Sequence, residues 1–476
     1  MLFNSIDFAV FLPIVFLLYW LLNGRLRAQN AFLIASGFVF YGWWDWRFLG
    51  LLIFTSGTDY LVAMGMERSP GIRTRKQLLG VSLAANLGLL GFFKYYDFFI
   101  HSFHDAFTFM GLPFGLQTLG LVLPVGISFY TFQSLSYTID VYRKQLKATY
   151  DPITFFAFVS FFPQMLAGPI ERARHMIPQF EVRRTFDLAW ARDGVRQMLW
   201  GLFKKVVVAD TCALHVNATF ADHMHLPWTT LFLGAILFAF QIYCDFSGYS
   251  DIAIGCARLF GFELMRNFAY PYFSRDIAEF WRRWHISLST WFRDYLYIPL
   301  GGSRGNKGFV VRNTMIIFLV SGFWHGANWT FVVWGAVNAI YFLPLVLSSN
   351  NRSHIDTVAP GRWSPSLSDA VRILFTFALT CIAWVFFRAG TLEEAWTYLG
   401  RMFALSDGIA LGHIEPGPWP FVLFLVVVEW FQREHQHGLH LTDRVPRALR
   451  WVIYASLLLA VVSLNGGEAA FIYFQF

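Results

Sequence analysis

The sequence predicts an all-α polytopic membrane protein, on three observations. Of 476 residues, 56% are hydrophobic and 19% aromatic, while only 14% are charged, against about 25% in soluble domains. The apolar residues gather in repeated runs divided by short basic loops. Short polar–apolar alternation is not evident, which disfavours a transmembrane barrel. Length alone would allow about three soluble domains. The repeated apolar runs instead predict a single membrane-embedded domain over residues 1–476.

The net charge of +7 is too small an excess to imply nucleic acid binding. Its placement matters more, because Lys and Arg collect on the cytoplasmic side of a bilayer. Cys212, Cys244, Cys256 and Cys381 lie singly in or beside apolar runs. Without a CxxC pair they indicate neither a zinc site nor disulfides, and they read as small buried hydrophobes. No metal is expected.

In chain order, Met1–Ser5 lacks the basic stretch of a cleaved signal peptide, so Phe8–Leu22 is read as a retained membrane helix. Ala31–Trp44, Phe48–Met64 and Leu78–Phe93 follow. The loops hold Arg25 and Arg27, then Arg68, Arg73, Arg75 and Lys76. Placing them in the cytoplasm puts the N-terminus outside. Leu116–Ile139 returns the chain to Arg143, Lys144 and Lys147. Ile153–Leu166 falls short of the roughly 20 residues a span needs. It is flanked by basic residues and interrupted by Pro163 and Pro169, which predicts a re-entrant segment. Such backbone needs cover from protein or a watery cavity. A helix over Phe186–Ala209 carries Lys204 and Lys205, and Thr230–Tyr243 runs into Asp245 and Asp251. Carboxylates between apolar segments need partners; an arginine of the 282–293 region is expected to supply them. After Val310–Phe323, spans are read at Trp329–Leu347, Val371–Phe387, Pro420–Phe431 and Trp451–Leu464, the last preceded by the basic stretch Arg433–Arg450.

The chemistry concentrates in residues 280–330. His285 closes a basic, aromatic run, and His325 follows the apolar run Met315–Val320. Burial disfavours the charged imidazole, and the neutral form is the one a general base needs. A hydrogen-bonded structural histidine is the competing reading. Asn328 lies one turn beyond His325; in a continuous helix both would share a face, and Asn328 would orient the imidazole or an acceptor hydroxyl. Arg266–Gly305 reads as interfacial helices and loops, with Trp281, Trp284 and Trp291 at the interface and His285 near a cytoplasmic mouth. Arg275, Arg282, Arg283, Arg293 and Arg304 suit either the phosphates of a coenzyme A donor or anionic lipid. The glycines beside His325 suit either close approach of a thioester or tight helix packing.

Several stretches carry a family resemblance: Phe280-Trp281-Arg282-Arg283-Trp284-His285-Ile286-Ser287-Leu288-Ser289, Arg293-Asp294-Tyr295-Leu296-Tyr297, Gly301-Gly302-Ser303-Arg304-Gly305 and Trp324-His325-Gly326-Ala327-Asn328. Together they resemble the membrane-bound O-acyltransferase family, and within it the bacterial alginate O-acetyltransferase branch. Pro163, Gln164, Gly168 and Pro169 resemble a family turn bordering the reaction chamber. The signature core covers about residues 124–345, and the match weakens beyond it.

The resemblance implies a multi-helix bundle with re-entrant segments around a central reaction tunnel. It makes His325 the catalytic histidine and His285 the other histidine of the signature. Trp324, Asn328, Arg282, Arg283, Arg293, Asp245 and Asp251 are the candidate substrate or tunnel residues. No cofactor is expected to stay bound; acetyl-CoA is the implied acyl donor. The implied acceptor is an extracellular or periplasmic polysaccharide (alginate, cellulose or a similar exopolysaccharide), with peptidoglycan left open. The implied location is the bacterial plasma membrane. A separate esterase-like transferase and polysaccharide synthesis machinery are the implied partners. A transporter or channel, a lipid or protein acyltransferase, and a scaffold of an export complex are the competing functions.

Overall fold

The computed structural model describes residues 1–405, 417–441, 445–464 and 471–472. Residues 442–444 of the basic stretch lie outside the described residues. Every regular element among the described residues is helical. Among the described residues, six segments are long and apolar enough to cross a membrane: Leu26–Arg68, Ile72–Phe109, Trp228–Leu259, Trp329–Leu347, Leu367–Arg388 and Arg447–Leu464. Ile6–Leu21 and Trp419–Phe431 are apolar but shorter. The chain forms two compact units, Met1–Leu188 with Ala257–Leu264, and Ala189–Cys256 with Met265–Phe476.

In the first unit, polar side chains pin the helices together. Asp59 accepts hydrogen bonds from Ser82 at 2.5 Å, from Asn86 at 2.9 and 3.0 Å, and from Ser134. These groups come from Leu49–Arg68, Ile72–Leu90 and Ile127–Tyr142. Buried polar groups are stable only when so paired. Arg75 donates to the carbonyls of Met66, Val141 and Tyr142 at 2.6–3.0 Å, satisfying carbonyls left over at two helix C-termini.

The expected span over Leu116–Ile139 is not formed. Residues 112–124 are non-helical, and the helix begins at Ile127. Gly126 adopts φ 76°, and a Cβ there would lie 2.8 Å from the Met165 carbonyl oxygen, so the turn needs glycine. Ile127–Val141 is buried on nearly every face, which is the signature of a helix enclosed by protein. In the broken region, Pro152–Val159 is helical and residues 160–172 are irregular and buried. Gln164 and Gln133 both donate to the Phe158 carbonyl that ends the helix.

In the second unit, glycines bring Leu188–Leu202 and Trp228–Leu259 together. A Cβ on Gly201 would meet the Gly248 carbonyl at 2.5 Å, and one on Gly255 would strike the Gly194 carbonyl. The first of these helices continues through a π-helical stretch, Phe203–Ala209. There Lys204 and Lys205 are buried against the long helix. Asp245 and Asp251 pair with these lysines and not with arginines: Lys204–Asp251 is 2.6 Å and Lys205–Asp245 is 2.7 Å. The glycine contacts hold the lysines within reach of the carboxylates, while the arginines of 282–283 are spent elsewhere.

Candidate active site

Two short helices and one long helix carry the site. Asp276 caps Ile277–Arg283 by accepting from the Glu279 amide at 2.7 Å. The chain then turns through His285, whose backbone is left-handed at φ 43° and ψ 55°, into Ile286–Phe292. This conformation is uncommon for a non-glycine residue. The Ile286 amide donates to the Asn267 carbonyl at 2.9 Å and fixes the turn. The second histidine ends the long helix: Asn306 caps Lys307–His325 through the Phe309 amide at 3.0 Å, and Gly326 terminates it.

Asn328 is not on the His325 helix. Its backbone is extended, and it caps the next helix, Trp329–Leu347, by accepting from the Thr330 amide at 3.0 Å. Its Nδ2 donates to the Gly390 carbonyl at 2.9 Å. The expected shared face fails because the helix stops at Gly326. The glycines likewise serve helix packing. A Cβ on Gly322 would strike the Phe331 carbonyl, one on Gly335 the Phe318 carbonyl, and one on Gly326 the Phe331 ring.

The two histidines meet. Their ring centroids are 6.5 Å apart, and the residues are only 1% and 3% exposed. Aromatic rings enclose them. Trp324, Trp334 and Phe387 lie 5.0, 5.1 and 5.3 Å from His325. Phe246 and Trp324 lie 4.6 and 6.2 Å from His285. Trp284 stacks on Phe280 and packs on Trp384. Trp284 and Trp291 are thus interior residues, not interfacial anchors: Trp284 is held by this aromatic cluster, and Trp291 packs on Phe292 and Tyr295. His285 is likewise interior. It lies outside the candidate spans, and burial pushes its pKa down to about 3, so the ring is neutral at physiological pH.

Both histidines line one cavity of about 250 Å³. Trp284, Leu288, Phe318 and Ser321 share its buried part, and the exposed Arg293, Ser303 and Arg352 line it as well. Of the candidate tunnel residues, Arg293 lines this cavity; it also pairs with Asp294 at 2.8 Å. Trp324 packs against both histidine rings instead. Arg282 donates to the carbonyls of Asn351 and His354 at 2.7 and 2.6 Å. Arg283 holds Glu279 and the Asp356 carbonyl. These arginines strap the 351–356 loop, which brings Arg352 to the cavity. Their donors are engaged by protein rather than presented to phosphate. Asp245 and Asp251 stay with Lys205 and Lys204.

The sequence did not announce Asn267 or Arg352. Lys204 and Lys205 as partners of the carboxylates were missed in favour of arginines; the signal that could have found them is that cations in an apolar helix need anions. Asp193, His437 and His440 also place ligand-type atoms within 4.8 Å of one another, with His437 Nε2 3.1 Å from Asp193 Oδ1. The four cysteines are buried and unbridged.

Residues 142–387 match MBOAT, the membrane-bound O-acyltransferase family. The chain belongs to this family. A probable alginate O-acetylase, AlgI, of Azotobacter vinelandii is 41% identical over 412 residues, covering 85% of this chain and 78% of that protein. A peptidoglycan O-acetyltransferase of Helicobacter pylori is 35% identical over 445 residues, covering 87% and 82%. A teichoic acid D-alanyltransferase of Bacillus subtilis is 26% identical over 283 residues, covering 56% and 69%. The protein is therefore a multi-pass membrane O-acyltransferase, and the family match spans both histidines.

Proposed function

We propose that this O-acyltransferase takes an acetyl group from acetyl-CoA at the cytoplasmic face for O-acetylation of an exopolysaccharide outside the bacterial plasma membrane. The observation that carries the proposal is the meeting of His285 and His325 in one cavity. His325 is the general base. It accepts the acceptor hydroxyl's proton as the oxygen bonds to the acetyl carbon; the carbon–sulfur bond breaks and the thiolate takes the proton back. Such catalysis contributes about 10²–10⁴-fold.

A cavity of about 250 Å³ is smaller than the roughly 300–1,000 Å³ of drug-sized sites. That favours a small acyl group over a long chain. Arg293 and Arg352 are the candidate contacts for donor phosphates. The cavity is read as the donor end of a tunnel, and the buried irregular segment 160–172 as re-entrant. Alginate-type relatives at 41% identity, against 35% for the peptidoglycan enzyme, favour an exopolysaccharide. A separate esterase-like transferase, working with the polysaccharide synthesis machinery, would deliver the group to the sugar.

The test follows radiolabelled acetyl-CoA turnover by purified protein in nanodiscs, with candidate acceptor and partner present. Folded His325→Ala is expected to lose turnover about 10²–10⁴-fold. Full activity in that variant would sink the mechanism.

A further inference from the structure

Asn267 is fully buried and its amide is used on every side. Its Oδ1 accepts from the Ser287 amide at 3.3 Å and the Ser287 hydroxyl at 2.9 Å. The same atom lies 3.1 Å from His285 Nδ1. Its Nδ2 donates to Ser250 Oγ at 3.1 Å. Amide oxygen and nitrogen are alike in shape and must be assigned from their partners. Here the assignment is forced: a backbone N–H can only donate, so the atom facing the Ser287 amide is oxygen. An oxygen facing Nδ1 in turn requires the hydrogen to be on Nδ1. A neutral imidazole carries one N–H, so Nε2 holds the lone pair.

Neutrality follows from the surroundings. Phe246, Phe268 and Trp324 pack against the ring. Among the described residues, His325 is a titratable group that faces it. Asn267 also holds the left-handed backbone at His285 through its carbonyl. One residue therefore fixes the position, orientation and protonation pattern of the ring.

We infer that Asn267 is a positioning residue that locks His285 as the Nδ1–H tautomer, making Nε2 the proton acceptor of the ring. The role assigned to His285 rests on the acyl-transfer reading above; the tautomer does not. In that role His285 starts as a proton acceptor and not as an acid: Nε2 can receive from His325 the one proton taken from the acceptor hydroxyl and release it to the departing thiolate.

The first experiment is nitrogen-15 NMR of the full-length protein in nanodiscs, labelled at histidine. The His285 signals are assigned by their loss in His285→Gln. A protonated Nδ1 and an unprotonated Nε2 are expected; an Nε2–H tautomer overturns the inference. The second is the pH profile of kcat/KM for acetyl transfer. Asn267→Asp places a carboxylate against Nδ1 and favours the imidazolium. Its acid limb should move up by about one pH unit or more. Asn267→Leu should lower kcat on the order of 10²-fold with little change in KM. A folded Asn267→Asp enzyme with the native pH profile and kcat overturns the positioning role. Lack of acetyl turnover in the native protein would count against the proposed donor chemistry, while the NMR result still decides the tautomer.

Discussion

The Lys204–Asp251 pair offers a quantitative test of how the second unit is held together. The two groups are 2.6 Å apart, with side chains 3% and 13% exposed. At an effective dielectric of about 20, Coulomb attraction at that distance is about 6 kcal/mol. Desolvation of two ions costs several kcal/mol each, so the intact pair contributes little net stability. Removing one partner is different, because it strands a buried charge, at about 3–5 kcal/mol. Ser247 and Gln197 hydrogen-bond the pair and soften that loss. Lys204→Met and Asp251→Leu should each destabilise by about 3 kcal/mol, and the double variant should recover at least about 2 kcal/mol. Denaturant unfolding in micelles, followed by tryptophan fluorescence, measures the cycle. Single variants within about 0.5 kcal/mol of native, or strictly additive effects, would refute the reasoning.

Three further outcomes follow. Gly335→Leu should cost at least about 1–3 kcal/mol through overpacking, because its Cβ would strike the Phe318 carbonyl; thermal midpoints and acetyl turnover check this together. Arg293→Gln and Arg352→Gln should raise KM for acetyl-CoA severalfold while leaving kcat near native, and the effect should shrink at high salt; unchanged KM values would remove both from donor binding. His285 sets a stability window. Its folded pKa of about 3 lies below the ordinary value near 6.5, so the unfolded chain takes up the proton first. The stability it contributes is present above about pH 6.5 and lost as pH falls toward 3. Native protein should lose thermal stability over that window more steeply than His285→Gln.

The family and the helical class were legible in the sequence, because they depend on local pattern: apolar runs of span length and a dense signature around His285 and His325. The Asp245 and Asp251 carboxylates visibly needed partners, but which cations served them depended on glycines 194, 201, 248 and 255 allowing two helices to touch backbone to backbone. Asn328 misled because spacing assumes a continuous helix, and Gly326 ends that helix one residue after His325. Residues 116–126 looked like part of a span because hydropathy does not register the Gly126 turn. The sequence by itself placed a histidine at the end of an apolar helix. Only the tertiary structure decided that a second histidine would meet it, and that Asn267 would select its tautomer. A hydrogen-bond network is set by distances between segments far apart in the chain, and those distances exist only once the helices pack.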